Sequence, residues 1–227
     1  MKSTYETNLD NLFEAIEKAR LNQSEHHIVD IVAISKYSTT NEIKTLYEAG
    51  QQSFGENKIQ DIKLKSKQLD KLPIRWHFVG SLQKNKINNL IDINPTLFHS
   101  LDSLELAYEL DKKLKIKNKI MKCLLQVNSS FEHSKSGISP DDVLQTYRNI
   151  EINCSNINLK GLMCIGANSK DKQNIEKSFK ITKDIYDKLR TATILSMGMS
   201  GDYETAIKCG SNMIRVGSKL FTKETIN

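Results

Sequence analysis

Proline and glycine are scarce in this chain, with three prolines and ten glycines among 227 residues. This scarcity excludes collagen-like chains and Pro/Gly-rich chains of low complexity. No apolar run approaches the roughly 20 residues of a membrane-spanning helix, and the N-terminal sequence MKSTYE lacks the apolar stretch of a signal peptide. The composition, 38% hydrophobic and 26% charged, is that of an ordered globular protein. We therefore expect a cytoplasmic protein.

Arginine is also scarce, although the net charge is +6, because nearly all of the 33 basic residues are lysines. Surfaces that bind nucleic acids usually use Arg for forked hydrogen bonds. The lysines stand among Asn, Asp and Glu on predicted helix faces, which indicates solvated helix surface. We expect no nucleic-acid partner. A nucleic-acid-binding module is the alternative that the net charge alone suggests, and a salt-dependent gel shift would reveal it.

The four cysteines are scattered, form no CxxC pair and have no His at ligand spacing nearby. Two of them lie in apolar runs, MKCLLQV and GLMCIG. We expect buried thiols in a reducing compartment and no metal site. The four are Cys123, Cys154, Cys164 and Cys209.

Short apolar segments alternate with amphipathic helical segments along the chain, after one leading amphipathic helix. Strands followed by helices indicate a parallel sheet with helices outside it, and eight such units close into a (β/α)8 TIM barrel. We predict one barrel domain over residues 1–227 with an extra N-terminal helix. An open doubly wound sheet is the alternative, which the lack of GxGxxG after the first strand disfavours. The predicted strands are 28–35, 52–56, 75–79, 96–100, 120–127, 159–165, 193–196 and 213–216.

Lys36 directly follows the first predicted strand, and barrels of this type carry their sites at the C-terminal strand ends. A Lys at a buried strand end is unusual. Burial favours the neutral amine, which can attack an aldehyde and form a Schiff base. The alternative is a Lys that extends to the barrel rim and keeps its ammonium in water.

The loops after the seventh and eighth strands have the character of an anion site. The segment 196–202, SMGMSGD, places small residues before a helix, where backbone N–H groups favour an anion such as phosphate; a plain capped turn is the alternative. Arg215 lies within an apolar strand and needs a partner, either a ligand or a carboxylate such as Glu56. Gly217 lets the backbone approach a ligand closely, and barrels often bind phosphate at these two loops.

Two further polar residues lie at the second and third strands. Asn57 follows the end of the second strand, and His77 lies within the third, WHFVG. A lone His in a strand is more often a hydrogen-bonded core residue than a catalyst. We therefore treat His77 as a weaker candidate than Lys36.

In combination, five segments resemble the pyridoxal phosphate homeostasis protein family of the YggS/PROSC type. They are VAISKYSTTNEIKTLYEAGQQSFGENKIQD, WHFVGSLQKNK, NSSFEHSKSGI, GLMCIG and LSMGMSGDYETAIKCGSNMIRVGSKLF, in order across nearly the whole chain. The resemblance implies a single barrel like the N-terminal domain of alanine racemase. One departure is Thr222 after Phe221, where the family often has Gly; it affects the closing turn and leaves the cofactor atoms untouched.

The resemblance implies a role for each candidate residue. Lys36 would carry pyridoxal 5'-phosphate (PLP) as a Schiff base, and Arg215 would face the pyridine nitrogen. The phosphate would be bound by Ser200 and by the backbone of Gly217 and Ser218. Asn57 and His77 would line the pocket. The HSKSG loop is variable in such proteins, so the role of Lys135 stays open.

We read the chain as a PLP-binding protein of intracellular PLP homeostasis that turns over no substrate. PLP-dependent apo-enzymes would receive the cofactor, and we expect no membrane partner and a monomer. The alternative is a PLP-dependent amino-acid racemase, which needs an acid/base on each face of the substrate. We expect the barrel to use the whole chain, which leaves no covering domain to supply a second base. Cys164 is the nearest candidate for that base, and its apolar surroundings suggest packing instead.

Overall fold

Eight parallel strands form a closed barrel in the computed structural model, which describes residues 3–21, 23–24, 26–132 and 134–222. The strands neighbour one another in chain order, and β1 also pairs with β8. This closure confirms the predicted TIM barrel and rules out the open doubly wound sheet. The strands are β1 Asp30–Ile34, β2 Ser53–Glu56, β3 Arg75–Phe78, β4 Leu97–Leu101, β5 Met121–Val127, β6 Ile157–Cys164, β7 Ile194–Ser196 and β8 Met213–Val216.

Helices alternate with the strands and cover the outside of the barrel. The predicted N-terminal helix α1 packs against the last two helices and against α2. None of the helices described here combines the length and the apolar character that crossing a bilayer requires. The helices are α1 Thr4–Arg20, α2 Thr40–Glu48, α3 Ile59–Gln68, α4 Ile87–Ile93, α5 Leu104–Ile116, α6 Val143–Asn153, α7 Lys172–Tyr186, α8 Tyr203–Lys208 and α9 Ser218–Phe221.

The strand ends lie at most two residues from the predicted ones, and those of β8 coincide with them; pairing explains the larger differences. Strand β1 begins at Asp30, where its pairing with Met213 of β8 begins; Ile28, predicted within the strand, is 78% exposed. Strand β6 begins at Ile157, two residues before the prediction, because it pairs there with Met121 of β5. Partner strands therefore set the strand limits more than local hydrophobicity does.

Local sequence signals set both ends of the helix α2, which follows β1. Thr39 accepts a hydrogen bond from the backbone N–H of Glu42, and the Glu42 carboxylate accepts one from the backbone N–H of Thr39. This reciprocal capping box fixes the first turn. Gly50 ends the segment at φ 111°, a conformation that glycine adopts without steric cost.

The barrel interior changes from apolar to polar along the strands. An apolar cluster fills the interior, separate from the larger core between strands and helices, and it includes Val32, Leu97, Leu124, Met163 and Met213. Because side chains alternate between the two faces of a strand, residues two positions further along also point inward. On four strands these next residues are polar and buried: His99, Gln126, Ser196 and Arg215. The polar layer thus lies toward the C-terminal ends of the strands.

A buried ion pair fixes the turn that follows β1. Glu56, fully buried at the end of β2, accepts hydrogen bonds at Oε1 from Lys65 Nζ of α3 (2.7 Å) and from Ser35 Oγ (2.6 Å). Lys65 Nζ also donates to the backbone carbonyl of Ser35 at 2.7 Å. Ser35 is therefore held through both its side chain and its backbone, directly before Lys36.

We expect Lys65→Met to lower the free energy of unfolding by about 3 kcal/mol, because it leaves the buried Glu56 carboxylate without its cation. Urea unfolding at neutral pH would measure the change. Lys44→Met is the matched control: it removes an exposed pair, at 3.8 Å from Glu48, and should change the free energy by less than about 1 kcal/mol.

The double variant Glu56→Gln with Lys65→Met should recover part of the loss, since no buried charge is left unpaired. Equal stability of Lys65→Met and Lys44→Met would contradict the assignment of this pair as a structural anchor.

Candidate functional site

A cavity of about 540 Å³ opens at the C-terminal ends of β1, β7 and β8. Its volume is in the range typical of small-molecule sites. Five of the seven residues predicted for the site lie in its wall: Lys36, Ser200, Arg215, Gly217 and Ser218. The pairing of β1 with β8 brings together loops that are almost 180 residues apart in the sequence.

Lys36 lies in the turn beyond the end of β1, and its side chain is exposed. The expectation of a lysine at a buried position is therefore wrong; the buried residue is its neighbour, Ser35. The reason is that β1 ends at Ile34, so Lys36 has already left the barrel and reaches the rim. Its Nζ lies 4.9 Å from the centroid of the Tyr37 ring, which also belongs to the cavity wall.

The loops after β7 and β8 are tied together at the cavity. Ser200 Oγ accepts a hydrogen bond from the backbone N–H of Gly217 at 3.2 Å. At Gly217 a side chain would come within 3.1 Å of the Ile34 carbonyl oxygen, so glycine permits the close approach of β8 to β1. Asp202 occupies the N-cap position of α8 without a side-chain capping bond; its carboxylate accepts from the backbone N–H of Met199 (2.6 Å) and shapes the loop.

Arg215 is 5% exposed, and its partners are backbone and hydroxyl oxygens. Nη1 donates to the carbonyl oxygen of Ser196 (2.9 Å) and to its Oγ (2.7 Å), and Nη2 donates to the carbonyl oxygen of Cys164 (2.9 Å). Glu56, the alternative partner, binds Lys65 instead. Burial lowers the pKa of the Arg215 guanidinium, which nevertheless stays cationic at neutral pH.

The described residues that line this cavity do not include Asn57 and His77. Their place in the pocket therefore stays a prediction. Asn57 follows β2, and its buried Oδ1 has no hydrogen-bond partner in the described part of the chain. His77 is buried inside the barrel, with Nδ1 2.9 Å from Nε2 of His99. Burial, with a smaller effect of Arg75, lowers the pKa of His77 to about 4, so its ring is neutral.

Two buried residues beside the predicted site were not among the predicted site residues: His99 on β4, which was missed, and Ser196 on β7, which was named only as the first residue of the segment 196–202. His99 Nδ1 lies 3.4 Å from Ser196 Oγ, which contacts Arg215. The alternation of β4 carries a signal: Leu97 and His99 share one face, so a His two residues after an inward Leu must also point inward. Nothing local indicates its contact with β7.

Lys135 and the cysteines have structural surroundings. Lys135 Nζ binds Glu132 Oε1 (2.8 Å) and the carbonyl oxygen of Gly166 (2.7 Å), which connects the loops after β5 and β6. All four cysteines are buried and unpaired, as predicted. Within residues 3–21, 23–24, 26–132 and 134–222, no group of three His, Cys, Asp or Glu side chains is placed to bind a metal ion.

Comparison with known proteins extends over nearly the whole chain. The family model for the N-terminal domain of alanine racemase matches residues 9–224. An alanine racemase of Clostridium difficile superposes with a TM-score of 0.75 at 16% identity, covering 96% of this chain and 60% of that one. This similarity shows the fold. PipY of Synechococcus elongatus with PLP bound is closer, with a TM-score of 0.83 at 28% identity over 96% of this chain and 100% of that chain.

Curated relatives carry one common name, pyridoxal phosphate homeostasis protein. That of Helicobacter pylori strain J99 is 51% identical over 217 residues, covering 96% of this chain and 98% of its own. The human protein is 33% identical over 207 residues, covering 84% of this chain and 75% of its own. The family model covers the segments that form the cavity, and the identity to these relatives shows that the chain belongs to the pyridoxal phosphate homeostasis protein family.

Proposed function

We propose that this protein binds PLP in the cavity between β1, β7 and β8 and serves intracellular PLP homeostasis. One observation carries the proposal: the Lys36 amine and the tied loops of Ser200 and Gly217 line the same cavity. An amine suits an aldehyde, and the hydroxyl and backbone N–H groups suit an anion. Family membership and the PLP-bound PipY relative support the same ligand.

The residues of the cavity fit PLP in size and chemistry. The volume accepts a small aromatic molecule. Three of the five N–H groups of the Arg215 guanidinium donate within the described chain, which leaves two for a ligand acceptor. Lys36, at the rim, is accessible from solution. When bound, the cofactor supplies an aldehyde for Lys36, a ring nitrogen for Arg215 and a phosphate for the loops of Ser200 and Gly217.

Each residue then has a defined task. Lys36 would bind the aldehyde carbon through its Nζ, the aldehyde oxygen leaving as water, and Ser200 with the backbone of Gly217 and Ser218 would bind the phosphate. Arg215 donates a hydrogen bond to the ring nitrogen. A place for Asn57 and His77 beside the ring stays a prediction, because neither lines the cavity. Because a guanidinium only donates, the ring nitrogen must accept and stay unprotonated, which makes the ring a poor electron sink and disfavours transaminase chemistry.

The surroundings of Lys36 favour storage and exchange over catalysis. A racemase needs a second acid/base opposite the lysine. Cys164 is fully buried in the outer core, and burial raises the pKa of its thiol. Among the described residues, Tyr37 is the tyrosine that lines the cavity. It is the neighbour of Lys36 in the sequence, and its ring lies beneath the Lys36 Nζ, so it does not stand opposite the lysine. The open rim also admits water, which favours exchange of the cofactor.

This open rim suits a carrier, and we propose PLP-dependent apo-enzymes as the recipients. A recipient could reach the amine without opening the barrel, because Lys36 is exposed while the ion pair beneath Ser35 stays buried. We propose further that the protein acts as a monomer in the cytoplasm.

The first expectation is that the protein is yellow or becomes yellow on addition of PLP. Borohydride should remove the visible absorption band and leave a pyridoxyl group on Lys36, which mass spectrometry would locate. Lys36→Ala should lose the band yet retain some PLP through the phosphate site. Lys44→Ala, an exposed lysine of α2, is the control and should stay yellow. A wild-type protein that cannot be loaded with PLP would refute the proposed function.

The second expectation concerns the phosphate. Pyridoxal, which lacks it, should bind at least roughly 100-fold more weakly than PLP, since two or more hydrogen bonds to a charged group are lost. Ser200→Ala should weaken PLP binding roughly tenfold. Ser134→Ala, an exposed serine outside this cavity, should leave the affinity unchanged. Fluorescence titration gives the dissociation constants, and equal affinity for pyridoxal and PLP would mean that the phosphate site lies elsewhere.

The third expectation is that the holo-protein sustains no racemase, transaminase or decarboxylase turnover. The weak electron sink and the missing second base give the reason. Incubation with a panel of L-amino acids, followed by analysis of chiral products and keto acids, would measure it. Sustained turnover that disappears in Lys36→Ala would establish the racemase alternative, and its loss in Tyr37→Phe would identify Tyr37 as the second base.

A further inference from the structure

Four buried side chains form a continuous polar chain across the barrel interior. His77 of β3 contacts His99 of β4 (Nδ1 to Nε2, 2.9 Å), His99 contacts Ser196 of β7 (Nδ1 to Oγ, 3.4 Å), and Ser196 contacts Arg215 of β8 (Oγ to Nη1, 2.7 Å). Each of the four is 5% exposed or less. We call these four residues the interior relay. It ends at Arg215, in the wall of the cavity.

The chemistry of Arg215 gives the relay a direction. A guanidinium can only donate, so Ser196 Oγ accepts from Nη1 and directs its own proton to His99 Nδ1. His99, neutral in the buried interior, then carries its proton on Nε2 and donates it to Nδ1 of His77. His77 in turn carries its proton on Nε2. The opposite direction would leave the Ser196 hydroxyl proton without an acceptor in a buried position, which is costly.

The relay fixes the plane of the guanidinium. Both N–H groups of Nη1 are used on Ser196, and one of Nη2 is used on the carbonyl oxygen of Cys164. The backbone N–H of Arg215 also donates to Gly198 at 3.0 Å. Three side-chain bonds to a rigid planar group leave it one orientation. The two remaining N–H groups, on Nε and Nη2, therefore keep a fixed direction.

Barrel packing alone does not account for the relay. One layer away, the interior is filled by apolar side chains such as Val32, Leu124 and Met213, and an apolar layer needs no hydrogen bonds. A buried polar network is costly unless all of its members are satisfied. The polar layer stands on the cavity side of the interior, with Arg215 as the member that reaches the cavity.

We propose that His99 and Ser196 are positioning residues that hold Arg215 in the orientation required to donate to the ring nitrogen of PLP. This inference rests on the proposed function. It adds His99 and Ser196, which do not line the cavity, to the residues that set the affinity and the electronic state of the bound cofactor. His77 ends the relay and fixes the tautomer of His99.

The tautomers can be tested in the protein without cofactor. Long-range proton–nitrogen NMR correlations distinguish the two neutral forms of histidine. We expect both His77 and His99 to carry the proton on Nε2 and to remain neutral from about pH 5 to about pH 8. The charged groups that face them, Arg75 beside His77 and Arg215 beside His99, are cationic throughout this range and favour the neutral rings. A proton on Nδ1 of His99 would overturn the relay.

Variants test the effect on the cofactor. Ser196→Ala should release PLP roughly tenfold faster and shift the visible absorption maximum and its pH dependence. The matched control is Ser100→Ala, on β4, which is 2% exposed and donates to the carbonyl oxygen of Val79 outside the relay. That control should keep the wild-type spectrum and release rate.

His99→Gln and His99→Leu separate positioning from packing. Gln can accept from Ser196 and donate to His77 as the imidazole does, so it should retain most of the wild-type spectrum, whereas Leu should behave like Ser196→Ala. Equal spectra and release rates for wild type, His99→Leu and Ser196→Ala would overturn the proposal. If Ser196→Ala fails to fold, the comparison of Gln with Leu decides. Failure of the wild type to bind PLP would refute the proposed function, while the NMR tautomers would still report on the relay.

Discussion

The pairing of β1 with β8 is the constraint on which the site depends. It closes the barrel through four residue pairs, from Asp30 with Met213 to Ala33 with Val216. Lys36 follows the end of one of these strands, and Arg215 with Gly217 lies at the end of the other, so closure alone places the amine beside the loops that we propose bind the phosphate. A sheet of the same strands left open would separate these groups by its full width.

Two sets of contacts hold the residues that form the cavity in place, one on each face of the sheet. On the outer side, Glu56 and Lys65 hold Ser35 and so fix the turn that carries Lys36. On the inner side, Ser196 contacts Arg215 in the barrel interior, and His99 contacts Ser196. Both supports are buried, while Lys36 is exposed. The Lys36 amine therefore reaches solvent beside residues that are held in place from both faces of the sheet.

The sequence allowed the fold to be predicted because its signals are local. Residues close together in the sequence are enough to indicate each feature: the apolar strand segments, the capping box at Thr39 and the turn at Gly50. Loops after strands seven and eight were predicted as an anion site, and Ser200, Gly217 and Ser218 do share one cavity with Lys36. The sequence left two positions open for Lys36, a buried strand end and the barrel rim, and could not decide between them, because the answer depends on where β1 ends against its neighbours; the structure has it exposed at the rim. The contact of His99 with Ser196 joins β4 to β7 and has no local signature.

The shared wall of the cavity has a kinetic consequence. In the function proposed above, a ligand anchored through its anion at Ser200 and Gly217 would be confined beside Lys36, so the attack of the amine would become an intramolecular event with a high effective concentration. Free aldehydes without an anionic group reach the same exposed amine only by collision. The protein would then select aldehydes that carry an anionic group because these stay longer in the cavity. This selection requires no special reactivity of the lysine.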